Sequence, residues 1–366
     1  MANILIQCLA KKDAAPAMAI CMAKGFAEDK NNKVYCILSD KISNKNDWIA
    51  DDRLNITFLD VGNKKTFVFK TLKMLLVTKR KLKKQFKNKE FILSIQPFVH
   101  PWGTIINKSV IAQHCMGVCH DPNPHSGESS LNKIFAFIGY SSTNELIVLT
   151  RKYADIVRQK FGKPVYIMRL GIFSNYSSER KNIIESENRI NFLFFGRIEK
   201  YKGISVLLNS YRKLCEKYKD ISLTIAGSGD FSEYNQLVEN CNNLSILNRY
   251  IRDEEIGNLF EKKNTVLVLP YLDATQSGVV PIAIDFDVPI IASDSGGLRE
   301  QLDDGKIGLF VKPGSVSSLT EKMKQVIENP NVLNEQIALE VAFKRELSWG
   351  SITKKLLDDI GSREHK

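Results

Sequence analysis

The chain has 366 residues, of which 43% are hydrophobic and 25% charged, and it carries a net charge of +11. That length exceeds one compact core of the usual size, so two domains are expected. The composition excludes extended disorder and collagen-like repeats, and no apolar run approaches the roughly 20 residues of a membrane span.

The opening run Met1–Cys8 has neither the basic region nor the cleavage site of a signal peptide. It reads as a buried first strand, and the chain is expected in the cytoplasm. Further strands are predicted at 34–38, 56–59, 91–95, 134–138 and 146–149, with helical patterns between them. The pattern restarts at 190–195 and continues at 223–226, 244–247, 265–269, 289–292 and 308–311. Such alternation predicts α/β architecture, with parallel sheets covered by helices on both faces. The polar stretch Ser174–Asn182 reads as a linker between two doubly wound domains. Sheets of this kind bind ligands beyond the carboxyl ends of their strands.

Within the first half, residues 64 to 89 contain eleven lysines and arginines and no acid. This segment accounts for the whole charge excess and points to one local anionic partner. Phe69, Leu72, Leu75, Leu76, Leu82 and Phe86 are expected on one side of a helix, with most cations elsewhere. A basic amphipathic helix binds an anionic membrane surface, here through Lys79, Arg80, Lys83 and Lys84. The alternative is a solvated helix packed on its own domain. No aromatic stacking surface accompanies the charges, so nucleic acid is not expected as a partner.

The segment Gly117–Glu128 reads as a polar loop carrying His120, Asp121 and His125. Histidine beside a carboxylate is a usual acid-base pair near neutrality. His100, before Pro101, is a weaker candidate, and Lys11 in the first strand-to-helix turn is a candidate acceptor contact. The seven cysteines are odd in number and scattered, which reads as reduced thiols. His114, Cys115, Cys119 and His120 lie close in sequence but lack a second ligand pair, and no metal site is assigned.

The second half carries four strand-end turns. They contain Gly196-Arg197 with Lys202-Gly203, then Gly227-Ser-Gly229, then Asp273–Val280, then Asp294-Ser-Gly-Gly-Leu-Arg-Glu. Glycine lets the backbone approach a phosphate, a helix N-terminus adds amides, and the two cations neutralise charge. Together the four turns predict a nucleotide pocket.

The run Phe195-Gly-Arg-Ile-Glu-Lys-Tyr-Lys-Gly203 resembles the G-R-x(4)-K-G phosphate motif of glycosyltransferase family 4. Ala226-Gly-Ser-Gly, Val266-Leu-Val-Leu-Pro and Val288-Pro-Ile-Ile-Ala-Ser fall in that family's order. The resemblance covers residues 190 to 330 well and the first half thinly. It implies a GT-B fold, two Rossmann-like domains facing a central cleft. The implied division is an N-terminal acceptor-binding domain over 1–173, with a terminal helix at 346–366 packing back on it, and a nucleotide-sugar-binding domain over 174–345.

By the same resemblance, Arg197 and Lys202 hold the donor diphosphate beside Gly196, Gly227 and Gly229. Tyr250 and Ile251 lie in the stretch whose backbone reads the nucleobase. His120 matches the histidine of an H-D-P turn that faces the donor sugar. The family's paired glutamates correspond to Ala274 and Ile282 here, and neither side chain hydrogen-bonds a sugar. The turn Ala274-Thr-Gln-Ser-Gly278 resembles a bacterial variant, in which Thr275, Gln276, Ser277, Gly278 and Val279 supply the donor contacts. Asp285-Phe-Asp287 imitates a metal-binding D-x-D motif but precedes a strand instead of following one.

The expected activity is hexosyl transfer from a UDP- or GDP-sugar to a glycan acceptor, lipid-linked, in surface polysaccharide assembly. The donor is a co-substrate, no cofactor is expected, and the resemblance implies retention without a metal. The alternative is a non-catalytic nucleotide-sugar-binding or scaffold subunit of a transferase complex.

Overall fold

The computed structural model describes residues 2–12, 14–63, 65–122, 130–173, 189–239 and 241–364. The predicted linker at 174–182 lies outside them, as do Asp13, Lys64, His125 and Glu128. The chain forms two compact units, one of residues 1–171 with 348–366 and one of 172–347.

The first unit is built on seven parallel strands: β1 (Ala2–Cys8), β2 (Asn32–Ser39), β3 (Leu54–Leu59), β4 (Glu90–Gln96), β5 (Ile111–Cys119), β6 (Glu145–Val148) and β7 (Val165–Ile167). Their order is β3-β2-β1-β4-β5-β6-β7, with Ile4 opposite Val34 on one side and Leu93 on the other. Ile4, Leu5 and Ile6 are fully buried, because a central parallel strand is covered on both faces. The terminal helix Trp349–Glu364 packs against the helix Ala14–Ala27 within this unit.

The second unit holds β8 (Ile190–Phe195), β9 (Ile221–Gly227), β10 (Leu244–Asn248), β11 (Thr265–Leu269), β12 (Ile290–Ser293) and β13 (Leu309–Val311). They pair in parallel in the order β10-β9-β8-β11-β12-β13. In both sheets the order reverses beside the first strand, at β1/β4 and at β8/β11. Open α/β sheets bind ligands at such switch points. Each unit therefore has the doubly wound Rossmann-like form expected of GT-B.

Three sequence expectations need correction. Residues 134–138 are not a strand; they belong to the helix Ser130–Ser141. A five-residue apolar run fits either element, and periodicity alone cannot separate them. The sheet position is taken instead by β5, whose Gln113 and His114 hide its strand character. Gly117, Val118 and Cys119 are accordingly the buried end of that strand, and the loop begins only at His120.

The basic segment is helical but not one-sided. Phe67–Lys73, a π-helical turn Met74–Thr78 and Lys79–Gln85 follow one another without leaving helical backbone. Met74, Leu82 and Phe86 are buried among Leu5, Tyr35, Phe91 and Trp102. Phe69, Leu72, Leu75 and Leu76, expected on that same side, are exposed. The wider π turn absorbs close to one residue of helical phase, which aligns Leu82 with Met74 and turns the leucines before it outward.

Candidate functional site

In the second unit the strand-end turns are joined in series by hydrogen bonds. Gly196 N–H donates to Ala226 O at 3.0 Å, and Ile198 N–H to Ser228 O at 2.9 Å. Leu272 N–H donates to Tyr201 O at 2.8 Å, and Gly297 N–H to Ala274 O at 3.1 Å. The turns after β8, β9, β11 and β12 thus form one rim at the carboxyl edge of the sheet. Two glycines permit the close approach. A Cβ on Gly227 would stand 1.8 Å from Gly196 O, and one on Gly203 would stand 1.9 Å from Pro270 O. Gly203 has φ +70° and opens the helix Ile204–Cys215. That helix directs its unbonded amides and positive dipole end at the rim.

The two cations of the first turn differ. Arg197 is exposed, 3.9 Å from Glu199, so its guanidinium can swing to an incoming anion. Lys202 is half-buried, with Nζ 3.8 Å from the centroid of the Tyr271 ring. A cation over a tyrosine face is held electrostatically by the ring.

The variant turn is built on Ser277, which is 2% exposed. Its Oγ lies 3.1 Å from the fully buried Tyr271 hydroxyl and accepts from Val279 N–H at 3.3 Å. Gln301 grips its backbone from both sides. Oε1 accepts from Ser277 N–H at 2.7 Å, and Nε2 donates to Ser277 O at 3.2 Å. Gln301, in the short helix Leu298–Gln301, is absent from the sequence reading. Its partner lies 24 residues away, and no local motif announces that contact. Thr275 and Gln276 flank Ser277 half-buried, and Gly278 is exposed. Ala274 and Ile282, the positions matching the paired glutamates, are buried apolar side chains.

Tyr250 is exposed and Ile251 buried just beyond β10. The stretch is fixed by Glu255, which accepts from Arg249 and from both the backbone and the side chain of Arg252. These bonds hold its carboxyl down at about 2. Gly229 lies beside it, donating to Asn248 Oδ1 at 3.3 Å.

The first unit presents its candidates at the carboxyl ends of β1, β4 and β5. Lys11 donates to Gly62 O. His100 accepts Trp102 N–H on Nδ1 at 3.1 Å and meets Phe67 and Trp102 edge to face. Burial, with Lys11 adding to it, lowers its pKa to about 4, so the ring is neutral at pH 7. His120 lies flat on Phe98, centroids 4.0 Å apart, and Nε2 donates to Pro97 O at 2.7 Å. Burial lowers its pKa as well, opposed by the Pro97 carbonyl and Asp121. The loops after β4 and β5 are thereby locked together, with His120 and Asp121 adjacent at the edge. His125, expected in the same loop, lies outside the described residues.

On the basic helix, Arg80, Lys83 and Lys84 are exposed and Lys79 is half-buried. No helix among the described residues is long and apolar enough to cross a membrane. His114 pairs with Glu145 at 2.9 Å, away from His120. Lys344 bridges Asp285 and Asp287, at 3.5 and 3.2 Å. Among the described residues no three His, Cys, Asp or Glu side chains are grouped to hold a metal ion. A cavity of about 780 Å³ opens at the opposite, amino-terminal edge of β11 and β12, between Phe260, Asp287 and Leu333. It includes none of the turn residues.

Two Rossmann-like units, one with a glycine- and cation-bearing rim at its switch point, define a GT-B architecture. Residues 176–339 match the family described as "Glycosyl transferases group 1". The chain is 26% identical over 172 residues to phosphatidyl-myo-inositol mannosyltransferase of Mycobacterium leprae, covering 45% of this chain and 44% of that protein. It is 25% identical over 194 residues to the Staphylococcus aureus capsular polysaccharide biosynthesis glycosyltransferase CapM, covering 48% and 50%. The matches thus span about half the length of these relatives. Anabaena HepE, solved in complex with UDP and glucose, superposes with a TM-score of 0.70 at 15% identity, over 99% of this chain and 100% of that one. The chain is thus similar in sequence to glycosyltransferases over part of its length and similar in fold to GT-B structures.

Proposed function

We propose that the protein transfers a hexose from a UDP- or GDP-sugar to a lipid-linked glycan acceptor during surface polysaccharide assembly. The observation that carries this reading is the rim of four hydrogen-bonded turns around Gly203 and Lys202. It offers backbone amides, a helix N-terminus and two cations to one diphosphate. As the bond from the sugar's anomeric carbon to the diphosphate oxygen breaks, Arg197 and Lys202 take up the growing negative charge. The same carbon bonds to the oxygen of an acceptor hydroxyl, with retention, and that hydroxyl's proton passes to the departing diphosphate. With two cations on the leaving group, transfer requires no metal. Tyr250 and Ile251 border the base, and the backbone from Thr275 to Val279 contacts the donor sugar and phosphate. On the first unit, His120 positions the sugar through a neutral imidazole, Asp121 supports it, and His100 and Lys11 contact the acceptor.

The UDP and glucose named for HepE support a UDP-hexose donor. The phosphatidyl-myo-inositol named for the mannosyltransferase supports a lipid acceptor. Together with the basic helix, these support an enzyme peripheral to the inner face of the cell membrane, held by anionic lipid through Lys79, Arg80, Lys83 and Lys84.

The buried apolar Ala274 and Ile282 favour a second reading, a subunit that binds the nucleotide sugar without turning it over. A panel of nucleotide sugars, scored by thermal shift and by release of free nucleotide with membrane extract present, separates the two. One donor that stabilises and is consumed, with Arg197→Ala and Lys202→Ala each slowing transfer by about 2–4 kcal/mol, supports the enzyme. Stabilisation without turnover supports the subunit. No response to any donor refutes the nucleotide pocket.

A further inference from the structure

The outer side of the basic helix is apolar at one end and cationic at the other. Val68, Phe69, Leu72, Leu75, Leu76 and Val77 are all exposed, Val68 by 80% and Leu76 by 56%. Exposed Lys73 lies within this stretch, and the exposed cations Arg80, Lys81, Lys83 and Lys84 follow it. The helix runs back along the sheet. Phe67 stacks on Trp102, beyond the carboxyl end of β4, while Phe86 meets Phe91 at that strand's amino end. Its apolar half therefore lies at the carboxyl edge, beside His100.

A second exposed apolar set stands at the same edge. Ile134, Phe137 and Ile138 of the helix Ser130–Ser141 are 52%, 61% and 40% exposed. Gly139 of that helix backs onto the β4–β5 loop, where an added Cβ would be 2.7 Å from Val99 Cβ and 3.3 Å from His100 N. Gln96 ties the helix end to the loop through Ser142 Oγ at 3.1 Å and accepts His100 N–H at 3.2 Å. Thus the loop carrying His100 is flanked on both sides by large apolar side chains facing outward.

Resting on the membrane reading above, we propose that both segments enter the acyl boundary of one bilayer leaflet, placing the His100 loop at the membrane surface. The lysines and Arg80 then lie at headgroup level, where cations next to an inserted apolar face belong. Pure electrostatic docking would leave the apolar half-helix in water, and an apolar patch of this kind marks an interaction surface. A bilayer is the occupant because the patch continues into cations without an acid, which complements anionic lipid. A lipid-linked acceptor reaches this edge with its chain still in the leaflet.

The test uses the intact chain with vesicles of phosphatidylglycerol and phosphatidylcholine carrying brominated acyl chains. The three native tryptophans are buried, so Leu76→Trp, Phe137→Trp and Ile111→Trp each add one exposed reporter. Ile111 begins β5, at the opposite edge of the sheet. Emission from Leu76→Trp and Phe137→Trp should be quenched and that from Ile111→Trp should not, with binding retained in 1 M salt. Leu75→Glu with Leu76→Glu, both at exposed helical positions, should leave the melting temperature unchanged. That pair should weaken salt-resistant binding by about tenfold per leucine. Binding released by salt, with no quenching, overturns insertion while leaving electrostatic docking intact. Quenching of Leu76→Trp alone overturns the two-segment surface. A concentration-dependent dimer that protects both reporters without lipid assigns the patch to a second copy and also overturns the proposal. Absence of any vesicle binding refutes the membrane reading itself.

Discussion

Replacing Gln301 by alanine tests whether one amide side chain holds the variant turn. Gln301 supplies an acceptor to Ser277 N–H at 2.7 Å and a donor to Ser277 O at 3.2 Å. Because Ser277 is 2% exposed, both backbone groups lose their partners in a place with little access to water. A stranded buried polar group costs about 1–3 kcal/mol, and water entering the vacated space recovers part of it. The expected loss of stability is about 2–4 kcal/mol, with nucleoside diphosphate binding weakened by about tenfold to a hundredfold. Gln301→Glu keeps the acceptor for Ser277 N–H but sets a carboxylate oxygen against the Ser277 carbonyl. It should fall between the alanine variant and the native chain. Urea denaturation gives the stability term, and calorimetric titration with UDP and GDP gives the binding term. If Gln301→Ala stays within about 0.5 kcal/mol of the native chain and binds nucleotide equally well, the clamp does not hold the turn.

Gly203→Ala should destabilise the second unit by more than about 2 kcal/mol, combining the left-handed backbone cost with the collision at Pro270 O. Gly278→Ala, whose Cβ meets nothing within 4 Å, should change stability by less than about 0.5 kcal/mol. Denaturation of the two variants side by side decides both. His100, with its pKa near 4, binds fewer protons folded than unfolded between about pH 4 and 6.5. Its imidazole resonances should therefore stay fixed from pH 5.5 to 8, and stability should fall as pH drops from about 6.5 to about 4. Glu340 shows the opposite sign. Burial, then Asp287, raises its pKa well above 4.5, so ionisation of the unfolded chain erodes stability as pH rises past that value. Glu340→Gln should gain on the native chain progressively from pH 5 to 8, as read by urea midpoints, and a constant difference across that range would refute this assignment.

Where a feature is local, the sequence carried it. The apolar runs of β1, β8, β11 and β12 are buried on both faces, and strands so placed need no polar alternation. The phosphate-type turns were legible for a related reason. Gly203 must adopt φ +70° and stay clear of Pro270, so its identity is written into the residue type itself. Arg197 follows Gly196 and Lys202 precedes Gly203, so the sequence alone places both cations at this turn. The segment 134–138 misled because five apolar residues suit a buried strand and a surface helix equally.

Contacts between distant residues decided the rest. The charge and apolar content of residues 64 to 89 followed from composition, but which leucines face outward depended on the π turn at Met74–Thr78 and on packing against Tyr35, Phe91 and Trp102. Histidine at 120 marked a candidate by its chemistry, whereas its tautomer and orientation came from Pro97 and Phe98 on another strand end. Gln301 had no sequence signal, since its two bonds reach a turn 24 residues earlier. The sequence by itself determined most strands of the two sheets, the glycine turns and the location of the cations, because backbone conformation and burial periodicity act over a few residues. Tertiary structure alone decided which side chains clamp, stack or stay exposed, because those choices depend on the energy of contacts that exist only once the strands are paired.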